Sequence, residues 1–207
     1  MVPRANTYLV TSFFSAPMRR PKTFLFPPIL RSAILEAQPR EGEHVLVYVT
    51  SPAPSLERVF ASVRAKFVAY GFGREGQQGN ISYRKPSLEG FLADLVSAKA
   101  VIANAGFSLL TESLHLAKPF LAMPVEHQFE QIFNAYWLEK AGYGAFWEEG
   151  VNKERIESFL YNLPHFRENL AGYPRKGNQE LFAKLDSLIG ELTGKASRAS
   201  DSERGRA

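Results

Sequence analysis

The chain has 207 residues, 45% of them hydrophobic and none of them cysteine, enough apolar side chains for one substantial core. The missing cysteines exclude a disulfide framework, thiolate zinc sites and a cysteine nucleophile, and the expected compartment is the cytoplasm. The formal net charge of +4 allows attraction to phosphates, anionic lipid or nucleic acid without choosing among them.

In chain order, residues 1–28 are rich in aromatics and proline. They contain no continuous apolar run, because Pro17, Arg19, Arg20 and Pro21 break it, so neither a signal peptide nor a membrane span is expected. Pro27 and Pro28 interrupt regular structure. A short helix is predicted over Ile29 to Ala37, then a buried strand in "HVLVYVTS" from His44.

From there helices and strands alternate. "SLERVFASVRAK" places Leu56, Val59, Phe60 and Val63 on one helical face; "FVAYGF" and "NISYR" are strands; "SLEGFLADLVSA" is a helix capped by Ser87. "AVIANA" is a strand, "FSLLTESLHLA" a helix, "PFLAMPV" a strand, "QFEQIFNAYWLEKAG" a long helix and "YGAFW" a strand. Two helices follow, one starting at Asn152 and one in "NQELFAKLDSLIGEL". The end, "KASRASDSERGRA", lacks large apolar side chains and reads as a disordered basic tail.

Alternation at this spacing predicts right-handed βαβ units and hence an α/β fold, a Rossmann-like parallel sheet with helices on both faces. Residues 1–40 are expected to be an interdomain linker or strap, 41–194 the Rossmann-like domain and 195–207 the tail. Ligands of such sheets bind beyond the carboxyl ends of the strands, which directs attention to the loops after Thr50, Ala105 and Val125.

In the second of these loops Gly106 turns the chain into a helix. It either makes a tight turn or lets a phosphate approach the N–H groups of Phe107, Ser108 and Leu109. Six residues later, Glu112 is either a solvated helix residue or a carboxylate for two vicinal hydroxyls. Glu130, Gln131 and Asn134 share the first turns of the long helix. They either cap it and form a polar face or present donors and acceptors to a polyhydroxylated ring. His127 has no second ligand beside it, and no metal is expected.

The order Ala105, Gly106, Glu112, "AKP" at 117–119, Pro124, Glu130, Gln131, Asn134 and Ala135 resembles the C-terminal, donor-binding half of GT-B glycosyltransferases. The likeness is strongest to the family 28 C-terminal domains, which include the lipid-II-forming N-acetylglucosaminyltransferase, with UDP-glycosyltransferases more distant. It spans about His44 to Leu163.

The resemblance implies a role for each matching position. Glu112 takes the ribose; Asn104, Gly106, Phe107 and Ser108 meet the pyrophosphate, with Ser51 contributing from the first loop; Glu130, Gln131 and Asn134 hold the donor sugar. Backbone around Tyr83, Arg84 and Lys85 meets the uracil. The first loop, "VTSPAPS", departs from the usual Gly-Gly-Ser, and Ala117 stands where glycine is frequent.

The implied protein is a donor-binding domain that transfers sugar from a UDP-sugar to an acceptor hydroxyl. It needs no cofactor or metal, and it requires an acceptor-binding domain or subunit that carries the base. A membrane-associated or lipid-linked acceptor fits this reading; nucleic acid does not. The alternatives are a nucleotide-sugar 2-epimerase-like enzyme and a non-catalytic nucleotide-sugar-binding module.

Overall fold

The computed structural model describes residues 5–50, 54–147 and 151–194. The expected tail and Ser51 lie outside these residues. The chain groups into two compact units, one of residues 31–175 and one of residues 1–30 with 176–207.

The larger unit holds a seven-stranded sheet. Its strands are β3 (His44–Tyr48), β4 (Lys66–Tyr70), β5 (Gly76–Gln78), β6 (Ile81–Arg84), β7 (Ala100–Ala103), β8 (Phe120–Ala122) and β9 (Gly144–Phe146). They lie in the order β5-β6-β4-β3-β7-β8-β9. All neighbouring pairs are parallel except β5 with β6. Leaving out β5, this is the doubly wound order 3-2-1-4-5-6, whose direction reverses between β3 and β7.

The central strands are apolar because helices cover both faces. Val45 to Val47, Ala100 to Ala103 and Phe120 to Ala122 are fully buried. The connecting helices are α2 (Pro54–Ser62), α3 (Leu88–Ser97), α4 (Phe107–His115), α5 (Phe129–Lys140), α6 (Lys153–Tyr161) and α7 (Leu163–Ala171). On one face Phe60, Ile156 and Phe159 pack with Val45, Val47, Phe67 and Ile102 into one apolar cluster.

The expected parallel sheet is present, and two predicted caps form. The Ser87 hydroxyl accepts from Gly90 N–H at the start of α3, and the Asn152 side chain accepts from Arg155 N–H at the start of α6. The helix predicted over Ile29 to Ala37 is only one turn, α1 (Ser32–Leu35). Pro27 and Pro28 precede it, and Pro39 follows.

Strands β1 (Tyr8–Thr11) and β2 (Thr23–Phe26) of the smaller unit fall where only a linker or strap was expected, and two elements of the larger unit escape the sequence patterns. Strand β5 is fully exposed and has no apolar residue, so no alternation marks it. Helix α7 carries Pro164 in its first turn, where proline fits a helix start although it reads as a break.

In the smaller unit, β1 pairs in parallel with β2, and β2 ends where Pro27 removes a donor. Helix α8 (Gln179–Thr193) follows Asn178. The Asn178 amide grips Leu30 at both ends, accepting from its N–H at 3.0 Å and donating to its carbonyl at 2.7 Å. Lys184 sits 4.4 Å from the centre of the Phe24 ring.

Candidate functional site

A cleft of about 860 Å³ opens at the carboxyl edge of the sheet, where the strand order reverses between β3 and β7. Its walls come from five segments: Arg31, Tyr48 to Thr50 after β3, Tyr70 and Gly71 after β4, Pro86 to Phe91 around the start of α3, and Ser108 to Glu112 on α4. Parallel strands feeding helices leave such a crevice at the reversal point, because neighbouring crossovers leave toward opposite faces.

Glu112 stands on the second turn of α4 with its side chain 13% exposed. Arg31 grips it in a two-pronged ion pair: Nε donates to Oε1 at 2.7 Å and the terminal nitrogen to Oε2 at 2.8 Å. Such a fork is the strong geometry for an arginine and a carboxylate. Helix α4 follows its N-cap Gly106, where a Cβ would meet nothing within 4 Å, so there is open space beside the helix start.

Asn104, just beyond β7, holds the end of the neighbouring β3. Its side-chain oxygen accepts from the N–H and the hydroxyl of Thr50, and its nitrogen donates to the Met123 carbonyl at 2.9 Å. It acts on the cleft through Thr50, a wall residue. Ser108 is exposed on the wall, and its carbonyl accepts from the Thr111 hydroxyl.

The other wall is aromatic. Phe91 meets Tyr48 and Tyr70 edge to face, with ring centres 5.6 and 5.0 Å apart. The Tyr70 hydroxyl donates to Asp94 at 2.7 Å. Burial first, and then this carboxylate, push the Tyr70 phenol well above its ordinary pKa, so it stays a neutral donor.

The remaining predicted residues lie elsewhere. Tyr83 is buried: its hydroxyl donates to Glu57 at 3.1 Å, and Arg74 covers its ring at 3.9 Å. Burial is also the first cause that raises its phenol pKa. Arg84 and Lys85 point to Asp94 and Glu75. The wall begins one residue later, at Pro86, and so adjoins the segment predicted to meet a base.

Glu130 is exposed and, like Gln131 and Asn134, does not line the cleft. Gln131 accepts from Val125 N–H at 2.9 Å and donates to Gln128, while buried Asn134 donates to the Ala105 carbonyl at 3.0 Å. These two amides brace the loops after β8 and β7.

Sequence reasoning missed Arg31, Tyr48, Tyr70 and Phe91. None of the four stands in a motif or spacing that marks it in the sequence, and Tyr48 shows itself only by being exposed at the end of β3. Among the described residues no group of three or more His, Asp or Glu could hold a metal ion, and no helix is long and apolar enough to cross a membrane.

Residues 1–164 match the family model described as glycosyl transferase family 1. No curated protein matches the chain. Among solved structures, spinosyn forosaminyltransferase SpnP is 16% identical with a TM-score of 0.61, covering 82% of this chain and 51% of its own. LpCGTa, solved in complex with UDP, is 20% identical with a TM-score of 0.60, covering 84% and 48%. UGT2 of Phytolacca americana, solved with UDP-2-fluoro-glucose and pterostilbene, is 14% identical with a TM-score of 0.60, covering 81% and 47%. The likeness shows the shared fold, one Rossmann-like half of the GT-B architecture, and the chain spans about half the length of the structures it matches.

Proposed function

The chain belongs to glycosyl transferase family 1, and we propose that it is the donor-binding half of a UDP-sugar-dependent glycosyltransferase. The observation that carries this reading is the placement of Glu112, a carboxylate directed at a cleft where the sheet order reverses, one turn beyond an open helix start. A nucleotide offers a vicinal diol to the first and a diphosphate to the second. The UDP held by LpCGTa and the UDP-2-fluoro-glucose held by UGT2 support the choice of nucleotide.

In this reading an acceptor hydroxyl attacks the anomeric carbon of the sugar, the bond to the diphosphate breaks, and UDP leaves. Helix α4 stabilises the charge on the leaving diphosphate through its first-turn N–H groups, without a metal or cofactor. Asn104 holds the loop after β3 against it. Backbone after Arg84 and Lys85, with the Tyr48 face, receives the uracil. Glu130, Gln131 and Asn134 govern the sugar, Glu130 by contact and the two amides by holding the loops around it.

The base and the acceptor site belong to a second domain or subunit, with residues 1–40 as the connecting strap. A membrane-associated or lipid-linked acceptor and a cytoplasmic site of reaction fit this reading. The ordered residues from Ala105 to Ala135 also support the likeness to family 28 C-terminal domains.

Calorimetric titration with UDP, UDP-N-acetylglucosamine, UDP-glucose, UDP-galactose and UDP-glucuronate tests the proposal. We expect saturable UDP binding that Glu112→Ala weakens, and tighter binding of one UDP-sugar. If the purified chain ignores every nucleotide, the donor-site reading fails for this polypeptide.

A further inference from the structure

The described residues that line the cleft include one cation, Arg31, and one anion, Glu112, and the two are paired with each other. A carboxylate has about four lone-pair positions, of which two converge, one from each oxygen. The parallel N–H groups of a guanidinium fork take that convergent pair. A vicinal diol spanning both oxygens needs the same two positions. The Arg31 fork and a chelated ribose therefore exclude each other on Glu112.

The two partners are not equally held. Glu112 is packed on α4, with 13% of its side chain exposed, whereas 34% of the Arg31 side chain is open to solvent. The Arg31 backbone is fixed: it is the extended N-cap of α1, whose Ile34 is fully buried and which packs on α4. The carboxylate is the more buried partner, and the guanidinium is the one that solvent reaches.

Resting on the donor-site reading, we propose that Arg31 is a diphosphate ligand that exchanges partners: the ribose diol displaces it from Glu112, and the freed guanidinium pairs with the phosphates. A nucleoside diphosphate carries both complements, a diol for the carboxylate and negative charge for the guanidinium. The exchange leaves neither charge of the cleft unpaired, which is the condition for moving ions at a partly buried site without a large loss. A nucleoside without phosphates supplies only half of it.

The test compares UDP, uridine and 2′,3′-dideoxy-UDP on the wild-type chain, Arg31→Ala and Arg31→Lys, with thermal melts as a check on folding. Losing a charged hydrogen bond is worth roughly tenfold to hundredfold in affinity, so Arg31→Ala should weaken UDP by that factor. It should tighten uridine, because no fork is left to displace. Arg31→Lys keeps the charge but not the fork; it should tighten uridine likewise and leave UDP between wild type and Arg31→Ala. For wild type, dideoxy-UDP should bind more weakly than UDP, and Arg31→Ala should weaken it further.

Equal weakening of uridine and UDP would overturn the exchange and make Arg31 a positioning residue for Glu112. Tightening of both would overturn the phosphate contact. If wild type binds none of the three, the donor-site reading fails and takes this inference with it, a result distinct from either pattern among variants.

Discussion

The Asn104 side-chain oxygen accepts both the backbone N–H and the hydroxyl of Thr50, at 2.9 and 3.1 Å, and so joins the ends of β3 and β7 where the sheet order reverses. The same amide donates to Met123 beyond β8. Three strand ends thus share one side chain. Asn104→Ala should cost about 1–3 kcal/mol, the range for leaving polar groups without partners. Asn104→Asp keeps the acceptor for Thr50 but sets a carboxylate oxygen against the Met123 carbonyl, so it too should destabilise the chain in urea unfolding.

Neighbouring positions of α5 should separate by role. Asn134 is buried and holds the Ala105 carbonyl, so Asn134→Leu should destabilise by roughly 1–3 kcal/mol. Exposed Glu130 should change stability by no more than about 0.5 kcal/mol when made alanine. Glu130→Ala should weaken the preferred UDP-sugar and spare UDP. Equal loss for both ligands would remove Glu130 from the sugar subsite.

Gly71 forms part of the cleft floor after β4 with φ of 94°, and a Cβ there would lie 1.8 Å from the Val49 carbonyl oxygen. That contact is with backbone and cannot be relieved by a rotamer change. Gly71→Ala should therefore destabilise by at least about 2 kcal/mol and push the loops after β3 and β4 apart. Unfolding in denaturant reads the first effect and UDP affinity the second.

Lys118 is 4% exposed, and its ammonium donates to the Arg40 carbonyl at 2.6 Å. Burial lowers its pKa from 10.5 to about 8. The folded chain therefore gives up this proton sooner than the unfolded chain does. Below pH 8 both states carry the proton and the burial penalty is complete; between pH 8 and 10.5 the unfolded state binds more protons, and stability rises with pH. This group contributes a rise of at most about 3 kcal/mol. The difference between wild type and Lys118→Met across that window isolates it from the tyrosines that titrate nearby. A flat difference would mean that Lys118 titrates as an exposed lysine does.

Much of the framework is decided within a few residues and was legible for that reason. The β-branched runs of β3 and β7 call for a sheet covered on both faces, and Ser87 and Asn152 start helices because a short side chain reaches an N–H three residues on. The spacing from Gly106 to Glu112 likewise lies within one turn-and-helix unit, so its place at the carboxyl edge could be read directly.

Which way a polar side chain faces was decided elsewhere. Asn134 and Gln131 look like ligand residues in a linear reading, yet helix packing turns the first inward to Ala105 and the second to the Val125 loop. The Arg31–Glu112 pair joins residues 81 apart, and no periodicity links them. It exists because α1 packs on α4 and brings one charge of each to a common wall. Local chemistry determines elements and caps; only the packing of those elements determines which charges meet, because that choice depends on burial shared between distant segments.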